Sequence, residues 1–267
     1  METKRLKNIA ILILLLLNVF LILLLAYHRF QSRQAETDAI SQLENLFAAD
    51  QLSLSSALNL SQPSLEPLIL SRHVETEAAM AAMLLGEVEQ SSSLGGGIYS
   101  YTSSYGAVQF RSGGGFDGTA LSIPVTAPES FAQKFFQSFD YTQTSSQLDG
   151  GNGTVTALQY SNGTPIIGCS VALTFEDSRL ISVSGTHITV ENATQDAALE
   201  PLDSVTALVR FLDHRRSEGL VCRQIEDIHC IYQLNSSSSP LRLTPLWQVD
   251  TDTYTCYVDC TTGNVFR

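Results

Sequence analysis

The sequence predicts an α+β fold class: a single N-terminal transmembrane helix followed by an ectodomain of helix-plus-antiparallel-meander units, arranged as two small domains. Two observations lead to this prediction. One uncharged apolar block lies near the start of the 267-residue chain. After it, amphipathic helical stretches alternate with runs of β-branched residues that are separated by turn residues.

The apolar block comprises residues 9–26 and contains no charged side chain. As an α-helix that rises about 1.5 Å per residue, it would extend roughly 27 Å, close to the thickness of the hydrocarbon core of a bilayer. A cleaved signal peptide is the alternative, but its apolar region is only about 7 to 15 residues long and ends at a small-residue site. Here Ala26 is followed by Tyr-His-Arg-Phe, so we predict an uncleaved signal anchor.

Charged residues flank this block unequally. Lys4, Arg5 and Lys7 precede it. After it, Arg29 and Arg33 are soon offset by Glu36 and Asp38. The positive-inside rule therefore predicts a single-pass protein of the cell membrane with a cytoplasmic N-terminus and an extracellular C-terminal domain. The net charge is −12 and the first seven residues contribute +2. The ectodomain at about −14 is too acidic to favour nucleic acid or an anionic bilayer surface.

Helical periodicity recurs after the anchor. Residues 28–52 are predicted to form a stalk helix. Three further helices are predicted from the stretches "RHVETEAAMAAMLLGEV", "APESFAQKFFQSFDY" and "DSVTALVRFLDHRRSEG". For the last of these, Asp203 or Ser204 is the predicted N-cap and Gly219 the predicted stop.

Strands are predicted after the helices. Two turns, Asn162-Gly163 and Glu176-Asp177-Ser178, interrupt runs of β-branched residues and predict a three-stranded meander. Another meander follows Gly219, and a hairpin is predicted around Ser-Ser-Tyr-Gly near residue 104. The predicted division is a cytoplasmic tail (1–7), a transmembrane signal anchor (8–27), a stalk helix (28–52), the first α+β ectodomain unit or units (53–192) and a C-terminal α+β unit (193–267).

The sequence carries no recognisable catalytic motif. Neither G-x-S-x-G nor H-E-x-x-H occurs, and the histidines fall on different predicted elements. The acidic pairs Glu176-Asp177 and Glu226-Asp227 are interpreted as solvated charge. The five cysteines, together with His229, lack the C-x2-C spacing of zinc sites, so small buried side chains are favoured over one disulfide or a metal. We predict no catalytic, cofactor-binding or metal-binding residue, and no cofactor.

The most specific stretch of the ectodomain is its last hairpin, "LTPLWQVDTDTYTCYVDCTTGNVF". Pro245 and Trp247 lie on its first predicted strand, Tyr257 and Asp259 on its second, and Gly263 in the following turn. This hairpin resembles the closing signature of the YycI family, and PepSY-like domains share a weaker form of it. We treat these five residues as a structural signature.

The N-terminal segment resembles the same family. "LKNIAILILLLLNVFLILLL" is similar to the family's membrane anchor, whose mid-span L-N-x-F is matched by Leu17, Asn18 and Phe20. The resemblance covers about half of the chain. It implies a protein that is not an enzyme and that acts with a YycH partner on the WalK sensor histidine kinase, part of the two-component regulatory system for cell-wall metabolism in low-GC Gram-positive bacteria. The alternative is a PepSY-like extracytoplasmic binding or inhibitor module that restrains a secreted peptidase.

Asn18 is the one amide within the apolar block. The surrounding Leu, Ile, Val and Phe residues favour insertion by roughly 5 to 9 kcal/mol in total, and an unpaired amide in hydrocarbon costs about 2 to 7 kcal/mol. The segment therefore inserts, and the amide gains from a partner. We predict that Asn18, with Leu17 and Phe20 beside it, marks the face that meets another membrane helix; the alternative is a bond to its own helix backbone.

Overall fold

The computed structural model describes residues 17, 18, 20, 21, 24, 39–60, 62, 64–237 and 239–267. They form an α+β fold with a large sheet system. The predicted cytoplasmic tail, most of the predicted anchor and the first part of the predicted stalk helix lie outside the described residues. Within the described part of the chain, no helix is long and apolar enough to cross a membrane.

From residue 39 onward, four helices occur in the described residues: α1 (39–49), α2 (Val74–Leu85), α3 (Pro128–Ser138) and α4 (Ser204–Glu218). The ends of α4 follow from its flanking residues. Asp203 Oδ1 accepts a 2.7 Å hydrogen bond from the Thr206 N–H, which satisfies a backbone donor of the first turn. Gly219 adopts the left-handed conformation, with φ 64°, and ends the helix. The predicted cap at Asp203 and the predicted stop are confirmed.

The described residues also form sixteen strands, all but a few of them paired antiparallel. They are β1 (Ser53–Leu54), β2 (Leu68–Leu70), β3 (Gln90–Gly95), β4 (Ile98–Ser103), β5 (Gly106–Arg111), β6 (Gly115–Gly118), β7 (Ile123–Pro124), β8 (Tyr141–Asp149), β9 (Asn152–Ser161), β10 (Thr164–Glu176), β11 (Arg179–Thr186), β12 (Thr194–Gln195), β13 (Gln224–Asn235), β14 (Leu241–Thr251), β15 (Thr255–Asp259) and β16 (Val265–Phe266).

These strands form two sheets that are joined at one point. The first sheet has the order β3-β4-β5-β6-β11-β10-β9-β8. In the second sheet, β14 lies between β13 and β15, and the first residues of β14 pair with β2. A short parallel pairing, in which Ile166 of β10 lies opposite Tyr232 of β13, links the two sheets. The long strand β10 therefore belongs to both.

The predicted central meander is confirmed as β9, β10 and β11. Its two turns place Asn162, Gly163, Asp177 and Ser178 at positive φ, as two-residue hairpin turns of the mirror-image type require. Strand β8 was not predicted. Its Thr, Ser and Gln side chains are exposed along most of the strand, so it carries no apolar period-2 signal.

Two hydrophobic cores lie beneath the helices. Helices α2 and α3 cover one face of the first sheet, where Met80, Phe135 and Phe175 are fully buried. Helices α1 and α4 share the second core with β13, β14 and β15, where Phe47 packs in the same cluster as Trp247. The helix that follows the predicted anchor is thus part of the core that the last strands of the chain complete. A smaller cluster fills the junction between the sheets.

Candidate functional site

The predicted partner-binding residues of the anchor, Leu17, Asn18 and Phe20, are helical and exposed. Leu17 and Phe20 keep 54% and 59% of their surface accessible. Together with Leu21 and Leu24 they follow the i, i+3, i+4, i+7 spacing of a single helix face, and Asn18 borders that face. Their role in binding a partner stays a prediction.

Two residues of the predicted signature, Pro245 and Trp247, lie on β14. Trp247 is fully buried beneath α4, and its Nε1–H donates a 2.8 Å hydrogen bond to the carbonyl of Leu202, so its one polar atom is satisfied. The carbonyl of Pro245 accepts from the Cys260 N–H just after β15. Both residues therefore stabilise the hairpin from within.

The other three signature residues lie on β15 and in the turn that leads to β16. Tyr257 packs against Phe266 with 5.7 Å between ring centroids. Asp259 Oδ1 accepts hydrogen bonds from the backbone N–H of Thr261 at 2.7 Å and from that of Thr262. Gly263, at φ 74°, donates its N–H to the carbonyl of Asp259. These contacts stabilise the turn that follows β15 and the pairing of β15 with β16.

A cluster of Asp227, His229 and Asp250 lies on the second sheet. Ile228 and Val249, the neighbours of these residues along the strands, are buried in the core beneath α4, so the cluster faces the opposite side of the sheet. His229 Nδ1 lies 3.2 Å from Asp227 Oδ2. One possible ligand atom from each of the three residues lies within 4.8 Å of the others. Two carboxylates and an imidazole therefore converge at one point on the surface.

Neighbouring groups hold the two carboxylates in place. Asp250 accepts a 2.6 Å hydrogen bond from Thr255 Oγ1 and two longer ones from Gln248 Nε2. Asp227 Oδ1 accepts from the backbone N–H of Ile228 at 2.8 Å. Since these groups belong to three paired strands, the rigid sheet orients the cluster.

Sequence reasoning missed this cluster because it interpreted Asp227 as solvated charge. The Asp227 side chain is indeed 57% exposed, but the fold places Asp250 directly beside it. One signal was available: the spacing Asp-x-His puts both side chains on one face of a strand. The cysteines that were considered with His229 do not join it, because Cys256 and Cys260 are buried on the α4 side.

All five cysteines are unbonded, and four of them are buried. Burial raises the pKa of the Cys169 thiol to about 12. Cys230 is half-buried, and its interaction with the Cys260 thiol lowers the pKa of Cys230 and raises that of Cys260. Cys230 therefore ionises more readily than Cys169 or Cys260.

A cleft of about 580 Å³ lies beside the junction of the sheets, lined by His187, Gln159, Asp140 and Glu191 among others. Gln159 is buried there and bonds the backbone of Ile188 twice, through both ends of its carboxamide. Burial lowers the pKa of His187 to about 4, so its imidazole is neutral at physiological pH. The cleft is thus lined by fixed polar groups and a neutral imidazole.

A hydroxyl, an imidazole and an amide also meet beside Thr76, which lines this cleft. His73 Nδ1 lies 3.4 Å from Thr76 Oγ1, and His73 Nε2 lies 3.0 Å from Asn192 Nδ2. The arrangement fits a surface hydrogen-bond chain that connects α2 to the segment after β11.

No family model matches the chain, and no curated protein matches it. Among solved structures, the Bacillus megaterium YpeB C-terminal domain is similar over 74% of this chain and 98% of its own length, with 12% sequence identity and a TM-score of 0.36. A likeness at that TM-score supports no argument about fold or function.

Proposed function

We propose that this chain is a non-catalytic, membrane-anchored extracytoplasmic regulator of a WalK-type sensor histidine kinase. In this proposal it acts with a YycH-like co-regulator, through contacts of its membrane helix and its ectodomain. The N-terminus is cytoplasmic, residues 8–27 span the membrane once, and the units 53–192 and 193–267 lie outside the cell.

The observation that carries the proposal is Asn18, a single amide in an uncharged apolar run. An amide in hydrocarbon gains from a partner, and a polar contact between membrane helices is worth about 0.6 to 2 kcal/mol. An energy of that size suits a reversible contact. The C-terminal signature adds support because it resembles the closing hairpin of the YycI family.

The test is co-purification of the full-length protein from its native membrane, with mass spectrometry of the proteins that accompany it. We expect wild type to recover a sensor kinase and Asn18→Leu to recover about 3- to 30-fold less of it, the range that corresponds to the loss of one interhelical polar contact. Asn18→Gln, which keeps a carboxamide, should restore part of the recovery. Leu12→Ala is the matched control, because helical spacing places Leu12 away from both Asn18 and the face of Leu17 and Phe20; it should behave as wild type.

Three results would contradict parts of the proposal. Recovery of a secreted peptidase in place of a kinase would favour the PepSY-like inhibitor module. Failure of the wild type to recover any kinase would refute the regulatory function. Equal recovery with wild type and Asn18→Leu would show that the contact does not use the amide.

A further inference from the structure

The pairing of β13 with β14 places two negative charges directly opposite each other. Asp227 and Asp250 are register partners, and like charges in such positions destabilise a sheet. Within the described residues, neither carboxylate forms an ion pair with a lysine or arginine; Asp227 pairs with His229. A bound cation would relieve this repulsion.

We propose that Asp227, His229 and Asp250 bind a divalent transition-metal ion, with Zn²⁺ as the best-fitting one. An imidazole nitrogen together with carboxylate oxygens suits Zn²⁺, whereas Ca²⁺ and Mg²⁺ prefer oxygen ligands alone. The proposal is independent of the regulatory function proposed above. It also departs from the prediction of no metal-binding residue.

The distances in the cluster fit this ion. Zn²⁺ bonds to nitrogen and oxygen of about 2.1 Å place tetrahedral ligand atoms about 3.4 Å apart. His229 Nδ1 and Asp227 Oδ2 already lie 3.2 Å apart, and all three ligand atoms lie within 4.8 Å of one another. A small rotation of the Asp250 carboxylate completes a three-ligand site.

The surrounding groups hold the proposed metal ligands in place by hydrogen bonds and offer one further oxygen ligand. Thr255 Oγ1 holds Asp250, as the partners of metal-binding carboxylates commonly do. Gln248 contacts both oxygens of Asp250, and a half-turn of its carboxamide presents Oε1 in place of Nε2. The His229 side chain is 34% exposed, so a remaining coordination position is open to water or to a group of a partner.

The test measures Zn²⁺ binding to the full-length protein in detergent by titration calorimetry. A chelator first removes any metal ions that are already bound to the protein. We expect one ion per wild-type chain and at least tenfold weaker binding for His229→Ala and for Asp250→Asn. The double variant Asp213→Asn with His214→Ala removes an acid and an imidazole from α4 and is the matched control; it should bind as wild type does. Circular dichroism checks that each variant is folded.

A second readout distinguishes this site from the thiols. Co²⁺ bound by nitrogen and oxygen lacks the thiolate charge-transfer absorption that a cysteine ligand gives. We expect that absorption to be absent, and Cys230→Ser to bind Zn²⁺ as wild type does. The proposal is overturned if wild type does not saturate at one ion, if the α4 control weakens binding as much as His229→Ala, or if Cys230→Ser alone abolishes binding.

Discussion

His187 makes the stability of this protein depend on pH in the acidic range. Its ring lies 5.9 Å from the ring of Phe139 and 5.8 Å from that of Tyr141, measured between centroids. Burial there lowers the pKa of His187 to about 4, although a hydrogen bond to the backbone of Phe139 acts in the opposite direction. Asp140 and Glu191 line the same cleft.

The direction in which stability changes with pH follows from the protonation state of His187 in the folded and in the unfolded chain. Above pH 6.5, His187 is neutral whether the chain is folded or unfolded. The contribution of this residue to the free energy of unfolding is then fully present. As the pH falls from 6.5 towards 4, the unfolded chain takes up a proton that the folded chain does not, so stability is lost. The difference in pKa corresponds to about 3 kcal/mol at most, and we expect about 2 kcal/mol because the residue keeps some contact with water.

The assay is urea denaturation of wild type and His187→Gln at several pH values between 7.5 and 4. Carboxylates and the other histidines contribute to both proteins alike, so only the difference between the two slopes reports His187. We expect wild type to lose about 2 kcal/mol more than His187→Gln over this range. His214→Gln, on α4 and outside the cleft, should keep the wild-type slope. Equal pH slopes for wild type and His187→Gln would refute this reasoning.

Two further predictions concern the first sheet and the thiols. Gly153→Ala should lower the free energy of unfolding by more than about 2 kcal/mol in urea denaturation, because Gly153 has a φ of 127° and the added Cβ would clash with the carbonyl oxygen of Gln147. Gly150→Ala, with no atom within 4 Å of the added Cβ, should cost less than half as much. Iodoacetamide should modify Cys230 first and leave Cys169 unmodified until urea unfolds the chain, as peptide mass spectrometry can show. Early modification of Cys169 would contradict the assigned burial.

Sequence reasoning succeeded where the signal is local. The limits of α4 are set by Asp203 and Gly219, which act within one turn of the helix. The turns of the central meander depend on two residues each, Asn162-Gly163 and Asp177-Ser178. Strand β8 was missed because an edge strand that is exposed on both faces needs no apolar alternation.

The candidate metal site depends on information that one strand does not contain. Asp227 and His229 share a face by spacing alone, but Asp250 joins them only through the register of β13 with β14. A shift of one residue in the register of β14 would place Asp250 on the buried face. The composition of the strands therefore does not predict that Asp250 lies beside Asp227 and His229. The same limit applies to α1: helical periodicity predicts the helix, and tertiary contacts decide that it packs against α4.

Helix α1 packs in the same core as the last strands of the chain, and this affects the order in which the chain folds during synthesis. Leu43 and Val258 belong to the same core, yet 215 residues separate them. A ribosome that adds about 5 to 20 residues per second needs roughly 10 to 40 s to produce that interval. The buried residues of the core beneath α2 and α3 lie between Met80 and Val183, so this core can close first. The apolar face of α1 must therefore stay uncovered until the final strands emerge.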